Sequence, residues 1–149
     1  KFNDLYLFIA GQGEDKQKLQ REINTLKVNK NIFLIGHIEN IYPLIKNAIA
    51  VVSPSLWEDP GAVMIESSYC QKAVISSNCP NGPEEFLSFG KGGYLFDNNS
   101  TEDLEKKLKV FLNDNKTQIH NKILLSKKNS RNYSIFNHYK QLRNYLNLS

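Results

Sequence analysis

The stretch LYLFIAGQG, residues 5–13, is a continuous apolar run that ends in a loop with two glycines. An apolar run of this kind, without polar alternation, is typical of a parallel strand that is buried on both faces. Glycine at its end permits a tight turn. The stretch therefore predicts a buried strand over residues 5–10 that leads through a short loop into a helix.

The rest of the chain repeats this pattern of strand, short loop and helix. Apolar runs at 31–35, 48–52, 73–75 and 93–96 predict further strands, with helices between them and two polar helices at 117–127 and 134–147. Such alternation predicts an α/β fold, a Rossmann-like open parallel sheet flanked by helices on both faces. We expect a single, truncated domain over 1–149, with a C-terminal helical segment at 116–149 and a first strand and helix missing before residue 5.

Charge and cysteine content argue against several classes of protein. The net charge of +4 is mild, and acids are interspersed with bases as far as Asp114, so nucleic-acid binding is not indicated. Cys70 and Cys79 have no nearby histidine or further cysteine, so we expect no structural zinc and a reduced, cytoplasmic setting. No apolar run approaches the roughly 18 residues that a membrane span needs.

The tail beyond Asp114 has no acidic residue and is basic throughout. Two interpretations remain open: solvated helical faces, or docking onto another domain or an anionic membrane surface. Its basic residues are Lys116, Lys122, Lys127, Lys128, Arg131, Lys140 and Arg143.

The stretch SLWEDPGAVMIESSYC, residues 55–70, carries the features that suggest a ligand site. Asp59 is a good N-cap residue and Pro60 suits the first helical position, so we expect a helix over 60–70. The carboxyl ends of parallel strands form the ligand-binding edge of such sheets, and helix N-termini there receive phosphate or sugar oxygens. The first amides available for this purpose are those of Gly61, Ala62 and Val63.

Two glutamates flank this predicted helix start. Glu58 lies just outside it, and Glu66 can reach the same crevice from the helix flank and accept two hydrogen bonds from a diol such as a ribose. The alternative is that Asp59 only caps the helix and both glutamates are solvated. Glu66 interrupts a mostly apolar face, however, and a carboxylate buried there needs a partner.

Three other loops are candidates for the same edge. The pair Gly11 and Gly13 lacks the third glycine of a dinucleotide fingerprint, so a plain tight turn explains it equally well. His37, which follows Gly36 at a strand end, either contacts a base or is an ordinary loop histidine. The connection 76–87 combines turn residues with a predicted helix entry at Gly82 and Pro83, and Glu84 and Glu85 occupy the first turn, where the helix dipole favours acids.

Taken in order, these motifs resemble a known family. They are Gly11-x-Gly13, Ile32-Phe-Leu-Ile-Gly36, Ser53-Pro-Ser55, Glu58-x-x-Gly61-x-x-x-x-Glu66, Val74-Ile-Ser and Asn81-Gly-Pro-x-Glu85. The chain resembles the C-terminal, nucleotide-sugar-binding half of retaining GT-B glycosyltransferases, in the glycosyl transferases group 1 family (family 4). The resemblance covers about residues 5 to 115.

The resemblance implies roles for the candidate residues. Glu58 is expected to be the catalytic residue, in contact with the donor sugar near the reacting centre, and Glu66 to bind the ribose hydroxyls. The donor would be a nucleotide-diphosphate sugar of the UDP or GDP type, with no metal and no other cofactor. Further donor-binding residues are expected at Gly13, Gly36, His37, Ile38, Asp59, Gly61, Ala62 and Val63, with Gly82, Pro83 and Glu85 shaping the crevice.

The resemblance also implies partners and leaves alternatives. The absent N-terminal half would bind a glycan or lipid-linked acceptor in surface-polysaccharide or glycoconjugate synthesis, and the full-length protein would lie in the cytoplasm or peripherally at the inner face of the membrane. The fragment alone is expected to be inactive. The alternatives are a GT-B relative such as a nucleotide-sugar epimerase or phosphorylase, and a non-catalytic doubly wound binding module.

Overall fold

The computed structural model describes residues 4–59 and 61–146. By their internal contacts they fall into two compact units, Lys1–Ile41 and Tyr42–Ser149. Each unit contains parallel strands joined by helical crossovers, as βαβ connections require. In the described ranges, no helix is both long enough and apolar enough to span a bilayer.

The first unit is a single strand–helix–strand motif. Strands β1 (Leu7–Ala10) and β2 (Ile32–Gly36) pair in parallel, and helix α1 (Lys16–Thr25) connects them. The rings of Phe8 and Phe33, opposite each other in the register, stack with centroids 5.3 Å apart. These elements lie where the apolar runs predict them.

The burial predicted for β1 is wrong for the described residues. Leu7 is 43% exposed and Phe8 49% exposed. Within the described residues β1 pairs with β2 alone, and α1 contributes one buried side chain, Ile23. Among the described residues of this unit, too few elements pack on the apolar run to bury it.

The second unit contains a three-stranded parallel sheet in the order β3–β4–β5. The central strand is β4, and its five residues are all buried. In chain order the elements are α2 (Tyr42–Asn47), β3 (Ala50–Ser53), α3 (Ala62–Tyr69), β4 (Ala73–Ser77), α4 (Pro83–Phe86), β5 (Tyr94–Phe96), α5 (Thr101–Asn113), α6 (Lys116–Ser130), a 3-10 turn (Arg131–Tyr133) and α7 (Ile135–Tyr145). The end predicted for the last helix, at residue 147, lies outside the described residues.

Alternate residues of β4 build two separate apolar clusters. Ala73 and Ile75 pack with Phe111 of α5, and Ile119 and Ile123 of α6 lie against that cluster. On the other face, Val74 packs with Met64 of α3, Phe86 of α4 and Leu87, which directly follows α4. Helices therefore cover both faces of this sheet, which confirms the predicted fold class.

Helix α6 fastens the loop before β5 to the unit. Lys122 Nζ donates hydrogen bonds to the carbonyl oxygens of Gly90, at 2.8 Å, and Gly93, at 3.1 Å, and lies 4.8 Å from the ring centroid of Tyr94. The Tyr94 hydroxyl donates to Asp114 Oδ2 at 2.8 Å. Burial, followed by this hydrogen bond, raises the pKa of Tyr94 well above its ordinary value. Burial also lowers the pKa of Lys122, an effect that Asp114 opposes.

Candidate functional site

The loops that follow β3, β4 and β5 meet at the carboxyl edge of the second unit's sheet. Side-chain and backbone hydrogen bonds fix the loop after β3 in place, so its polar groups have defined positions. Ser77 Oγ donates to Ser55 O, Glu58 N donates to Pro80 O at 3.3 Å, and Asn98 Nδ2 donates to Leu56 O at 3.1 Å.

Helix α3 begins later than the sequence predicts. Its N-cap residue is Gly61, in the left-handed region with φ 87° and ψ 67°, and its first helical residue is Ala62. The prediction that Asp59 caps the helix is therefore wrong, and Asp59 is exposed. Glycine is favoured here because this left-handed φ is a backbone conformation that residues with a Cβ rarely adopt. Pro60, predicted at the first helical position, lies outside the described residues.

The later start leaves backbone donors at the exposed end of α3. The first hydrogen bond of the helix runs from Met64 N to Gly61 O, at 3.0 Å. The amides of Ala62 and Val63 precede it and have no acceptor within the helix, and both residues are exposed. Together with the helix dipole they favour an anionic or oxygen-rich ligand at this end.

Glu58 presents its carboxylate beside this helix terminus. The side chain is half-buried, and Oε1 accepts hydrogen bonds from Ser55 Oγ at 2.6 Å and from Ser53 Oγ at 3.3 Å. Oε2 lies 3.6 Å from the position that a Cβ on Gly61 would occupy. One carboxylate oxygen is thus held by hydroxyls while the other faces the backbone just before α3.

Glu66 lies on the same helix, one turn beyond the first amides. Its side chain is half-buried between buried neighbours, Met64 and Ser67. The carboxylate makes no hydrogen bond or ion pair within residues 4–59 and 61–146. A partly buried carboxylate without a protein partner is suited to bind hydroxyl groups of a ligand.

The residues that are predicted to shape the crevice lie at the start of α4. Pro83 is its buried first residue, Gly82 precedes it with φ 130°, and Glu84 and Glu85 are exposed in its first turn. Glu85 lines an open cleft of about 870 Å³ whose lining does not include Glu58, Gly61 or Glu66. Burial, and then the charge of Glu85, raise the pKa of Tyr133 in the same cleft.

The remaining candidates lie at one end of the two strands of the first unit. Gly36 ends β2 with φ 73°, and its carbonyl accepts a hydrogen bond from Gly11 N at 2.8 Å. His37 is exposed and Ile38 is half-buried. Gly13 O accepts from Lys16 N at 3.3 Å where α1 begins. The strand ends therefore bring the loops 11–14 and 36–39 together.

The sequence did not reveal the hydroxyls that hold Glu58. Ser53 and Ser55 are part of a recognisable motif, but serine near a strand end is ordinarily read as turn chemistry. The signal available was the presence of two serines within five residues of a carboxylate in one loop.

As for cations, no group of three or more His, Cys, Asp or Glu side chains is placed to hold a metal in the part of the chain that the structure describes.

Comparisons with known proteins agree with the architecture. A poly(ribitol-phosphate) alpha-N-acetylglucosaminyltransferase of Staphylococcus aureus is 29% identical over 114 residues, which are 76% of this chain and 23% of that protein. A GalNAc-alpha-(1->4)-GalNAc-alpha-(1->3)-diNAcBac-PP-undecaprenol alpha-1,4-N-acetyl-D-galactosaminyltransferase of Campylobacter jejuni is 31% identical over 106 residues, which are 71% of this chain and 29% of that protein. The chain thus spans less than a third of either protein.

A solved structure extends the similarity to almost the whole chain. It is a variant of S. aureus TarM in complex with fondaparinux, alpha-GlcNAc-glycerol and UDP, and it matches with a TM-score of 0.85 at 27% identity over 99% of this chain and 29% of that one. The profile of the family described as "Glycosyl transferases group 1" matches residues 1–128. These findings confirm the resemblance to GT-B glycosyltransferases, and the chain belongs to the glycosyl transferases group 1 family.

Proposed function

We propose that this chain is the donor-binding half of a retaining glycosyltransferase. It would bind a nucleotide-diphosphate sugar, of the UDP or GDP type, whose sugar moves to a glycan or lipid-linked acceptor in surface-polysaccharide or glycoconjugate synthesis. One observation carries the proposal: a hydroxyl-held Glu58 stands beside the N-terminus of α3, where the amides of Ala62 and Val63 precede the helical hydrogen bonds. The Glu58 carboxylate and these two amides are close enough to bind different parts of one ligand.

Each part of this site suits a different part of the donor. The amides and the dipole of α3 favour the diphosphate, since each nearby charge gains about 0.3–1 kcal/mol at such a terminus. Glu66, on the helix flank, would accept hydrogen bonds from the ribose hydroxyls. Glu58 would contact the sugar near its anomeric carbon. The base-bordering role of Gly36, His37 and Ile38 stays a prediction, as do the roles of Gly13, Asp59, Gly82, Pro83 and Glu85.

The proposed reaction exchanges one bond at the anomeric carbon. An acceptor hydroxyl oxygen forms a bond to that carbon while the bond to the diphosphate breaks, and the diphosphate leaves with the electron pair and takes up the proton of the acceptor. The terminus of α3 would stabilise the charge that develops on the leaving group, without a metal ion. Both relatives are named for alpha-linked products. Because common UDP-sugar donors are also α-linked, this supports retention.

The acceptor and the place of reaction are proposed to depend on the rest of the protein. The acceptor would bind to an N-terminal half, and any peripheral contact with the inner face of the membrane would involve the full-length protein. The 149-residue chain alone is expected to bind UDP weakly and to catalyse no transfer. Measurable transfer by the isolated chain, or submicromolar UDP affinity in calorimetry, would contradict this.

A thermal-shift screen tests the proposed function. The full-length protein is heated with UDP, GDP, ADP and their sugars, and one nucleotide series is expected to raise the melting temperature most. Glu66→Ala should remove much of this rise because it removes the ribose contact, whereas the exposed acid variant Glu84→Ala is the matched control and should keep it. A rise that Glu66→Ala leaves undiminished would mean that Glu66 does not bind the nucleotide.

A further inference from the structure

We infer that Ser55 is a positioning residue that fixes the orientation of the Glu58 carboxylate so that one oxygen faces the donor sugar, with Ser53 in a weaker supporting role. The inference rests on the proposed function, in which Glu58 contacts that sugar. It adds a residue that would act on the donor only through the carboxylate.

The hydrogen bonds assign different environments to the two carboxylate oxygens. Oε1 accepts from Ser55 Oγ at 2.6 Å and from Ser53 Oγ at 3.3 Å. Within the described residues, no hydrogen bond reaches Oε2, which lies on the side of Gly61. Two hydroxyl donors thus occupy one oxygen and leave the other to face the terminus of α3.

Ser55 is itself held firmly enough to act as a fixed donor. Its carbonyl oxygen accepts a hydrogen bond from Ser77 Oγ, and Ser77 is a buried residue of the central strand. The next carbonyl, of Leu56, accepts from Asn98 Nδ2, and Glu58 N donates to Pro80 O. The hydroxyl therefore meets Glu58 from a loop tied to strand β4 and to the loops after β4 and β5.

Orientation matters because the last torsion of a glutamate side chain is broad. Without the hydroxyls, the Glu58 carboxylate would rotate among several orientations and spend less time with an oxygen at the sugar. Misplacement of a catalytic group by about 1 Å can cost about 100-fold in rate. The shorter distance to Ser55 than to Ser53 predicts that Ser55 carries most of this effect.

The test compares serine variants of the full-length protein. The probe donor is UDP-N-acetylglucosamine, or the sugar nucleotide that stabilises the protein most in the screen above, and UDP release is measured. Ser55→Ala should lower kcat by about 10- to 100-fold with little change in KM, and Ser53→Ala should lower kcat less. Ser55→Thr, which keeps a hydroxyl, should restore most of the loss. Ser68→Ala is the matched control, since its buried hydroxyl has no partner among the described residues.

Binding supplies a second measurement that does not need turnover. Ser55→Ala should keep the affinity for UDP within about 2-fold, because UDP does not contain the sugar that Glu58 would contact, and should lose affinity for the sugar nucleotide. A parallel loss of UDP affinity and of melting temperature would mean that Ser55 only maintains the loop, and would overturn the inference.

A double-mutant cycle separates this inference from the proposed function. In a Glu58→Ala background, Ser55→Ala should lower kcat much less than it does alone, because the side chain through which Ser55 acts is absent. An equal loss in both backgrounds, or full activity of Ser55→Ala while Glu58→Gln is impaired, overturns the inference alone. Full activity of Glu58→Gln and Glu58→Ala overturns the role of Glu58 and, with it, the inference.

Discussion

Strands β1 and β4 both begin with apolar residues, but their surroundings are opposite. The five residues of β4 are all buried between two apolar clusters, whereas Leu7 and Phe8 of β1 are 43% and 49% exposed. Within the described residues, β4 has a strand on each side and β1 has a strand on one side. The difference shows that an apolar run specifies a strand, while the elements packed around it decide its burial.

The same difference separates the functional features of the two units. In the second unit, the loop with Glu58 is tied to its neighbours by side-chain hydrogen bonds from Ser77 and Asn98. In the first unit, the loops 11–14 and 36–39 are joined by a backbone hydrogen bond between Gly11 and Gly36. Glu58, the side chain whose orientation we propose to matter, therefore lies in the unit with the buried central strand.

The largest expected effect comes from removing one side chain of matched size from each strand. Ile75→Ala should lower the free energy of unfolding by about 2–5 kcal/mol, because Ile75 is fully buried and its loss leaves a cavity. Leu7→Ala should cost less than about 1 kcal/mol, since its side chain already contacts water. Urea unfolding of the 149-residue chain measures both, and strand-resolved hydrogen exchange assigns each loss to a unit. Equal costs would contradict the contrast in burial.

A smaller effect is expected from adding one methyl group to a glycine of each unit. A Cβ on Gly93 would lie 2.8 Å from Val74 O and 2.9 Å from Leu87 Cδ2, whereas a Cβ on Gly13 would meet no atom within 4 Å. Gly93→Ala should destabilise the chain by about 1–3 kcal/mol through overpacking. Gly13→Ala should be neutral or slightly stabilising. Thermal unfolding of the two variants measures both effects. If Gly93→Ala is no less stable than Gly13→Ala, the space around Gly93 accommodates a methyl group and the prediction is wrong.

The smallest effect should appear as a change with pH. Tyr94→Phe removes a buried hydrogen bond to Asp114 and should cost about 1 kcal/mol near pH 7. Because the pKa of Tyr94 is raised in the folded state, the stability that this phenol contributes is present below pH 10 and is lost as the pH rises further. Chemical unfolding should therefore show that Tyr94→Phe lowers the free energy of unfolding less at pH 10.8 than at pH 7.5.

Lys122 is present in both the unsubstituted protein and the Tyr94→Phe variant, so its own titration does not account for the change in the cost of Tyr94→Phe with pH. Tyr6→Phe, which removes a phenol that is 63% exposed in the first unit, serves as the control. A cost of Tyr94→Phe that stays constant or grows between the two pH values would contradict the raised pKa of Tyr94.

The order of elements could be predicted from the sequence because strands and helices leave different periodicities. Each predicted strand occurs, with ends displaced by about two residues at most, and the spacing of Leu104, Leu108 and Phe111 marks the buried face of α5. The exposure of β1 could not be predicted, because the run 5–10 contains no information about what packs on it. Burial is a property of neighbours.

The candidate site was predictable in its acids but not in its local geometry. The sequence predicts a helix that is capped by Asp59 and begins at Pro60. In the structure the N-cap residue is Gly61, which has a left-handed conformation. The deciding feature is the left-handed φ of residue 61, which favours glycine and which the helical assignment from the sequence did not anticipate. The hydrogen bonds from Ser53 and Ser55 to Glu58 depend on how the loop after β3 folds, and secondary-structure propensity does not predict the conformation of that loop.

The position of Gly61 has a consequence for engineering the protein. In a saturation library, residue 61 should tolerate fewer substitutions than residues 62 and 63, because residue 61 has a left-handed φ whereas Ala62 and Val63 are exposed. Backbone amides remain in place whichever residues other than proline occupy 62 and 63. Directed evolution at these two neighbouring codons should therefore alter the side chains that border the terminus of α3 without moving Glu58 and, under the proposed function, should change the preference for the donor.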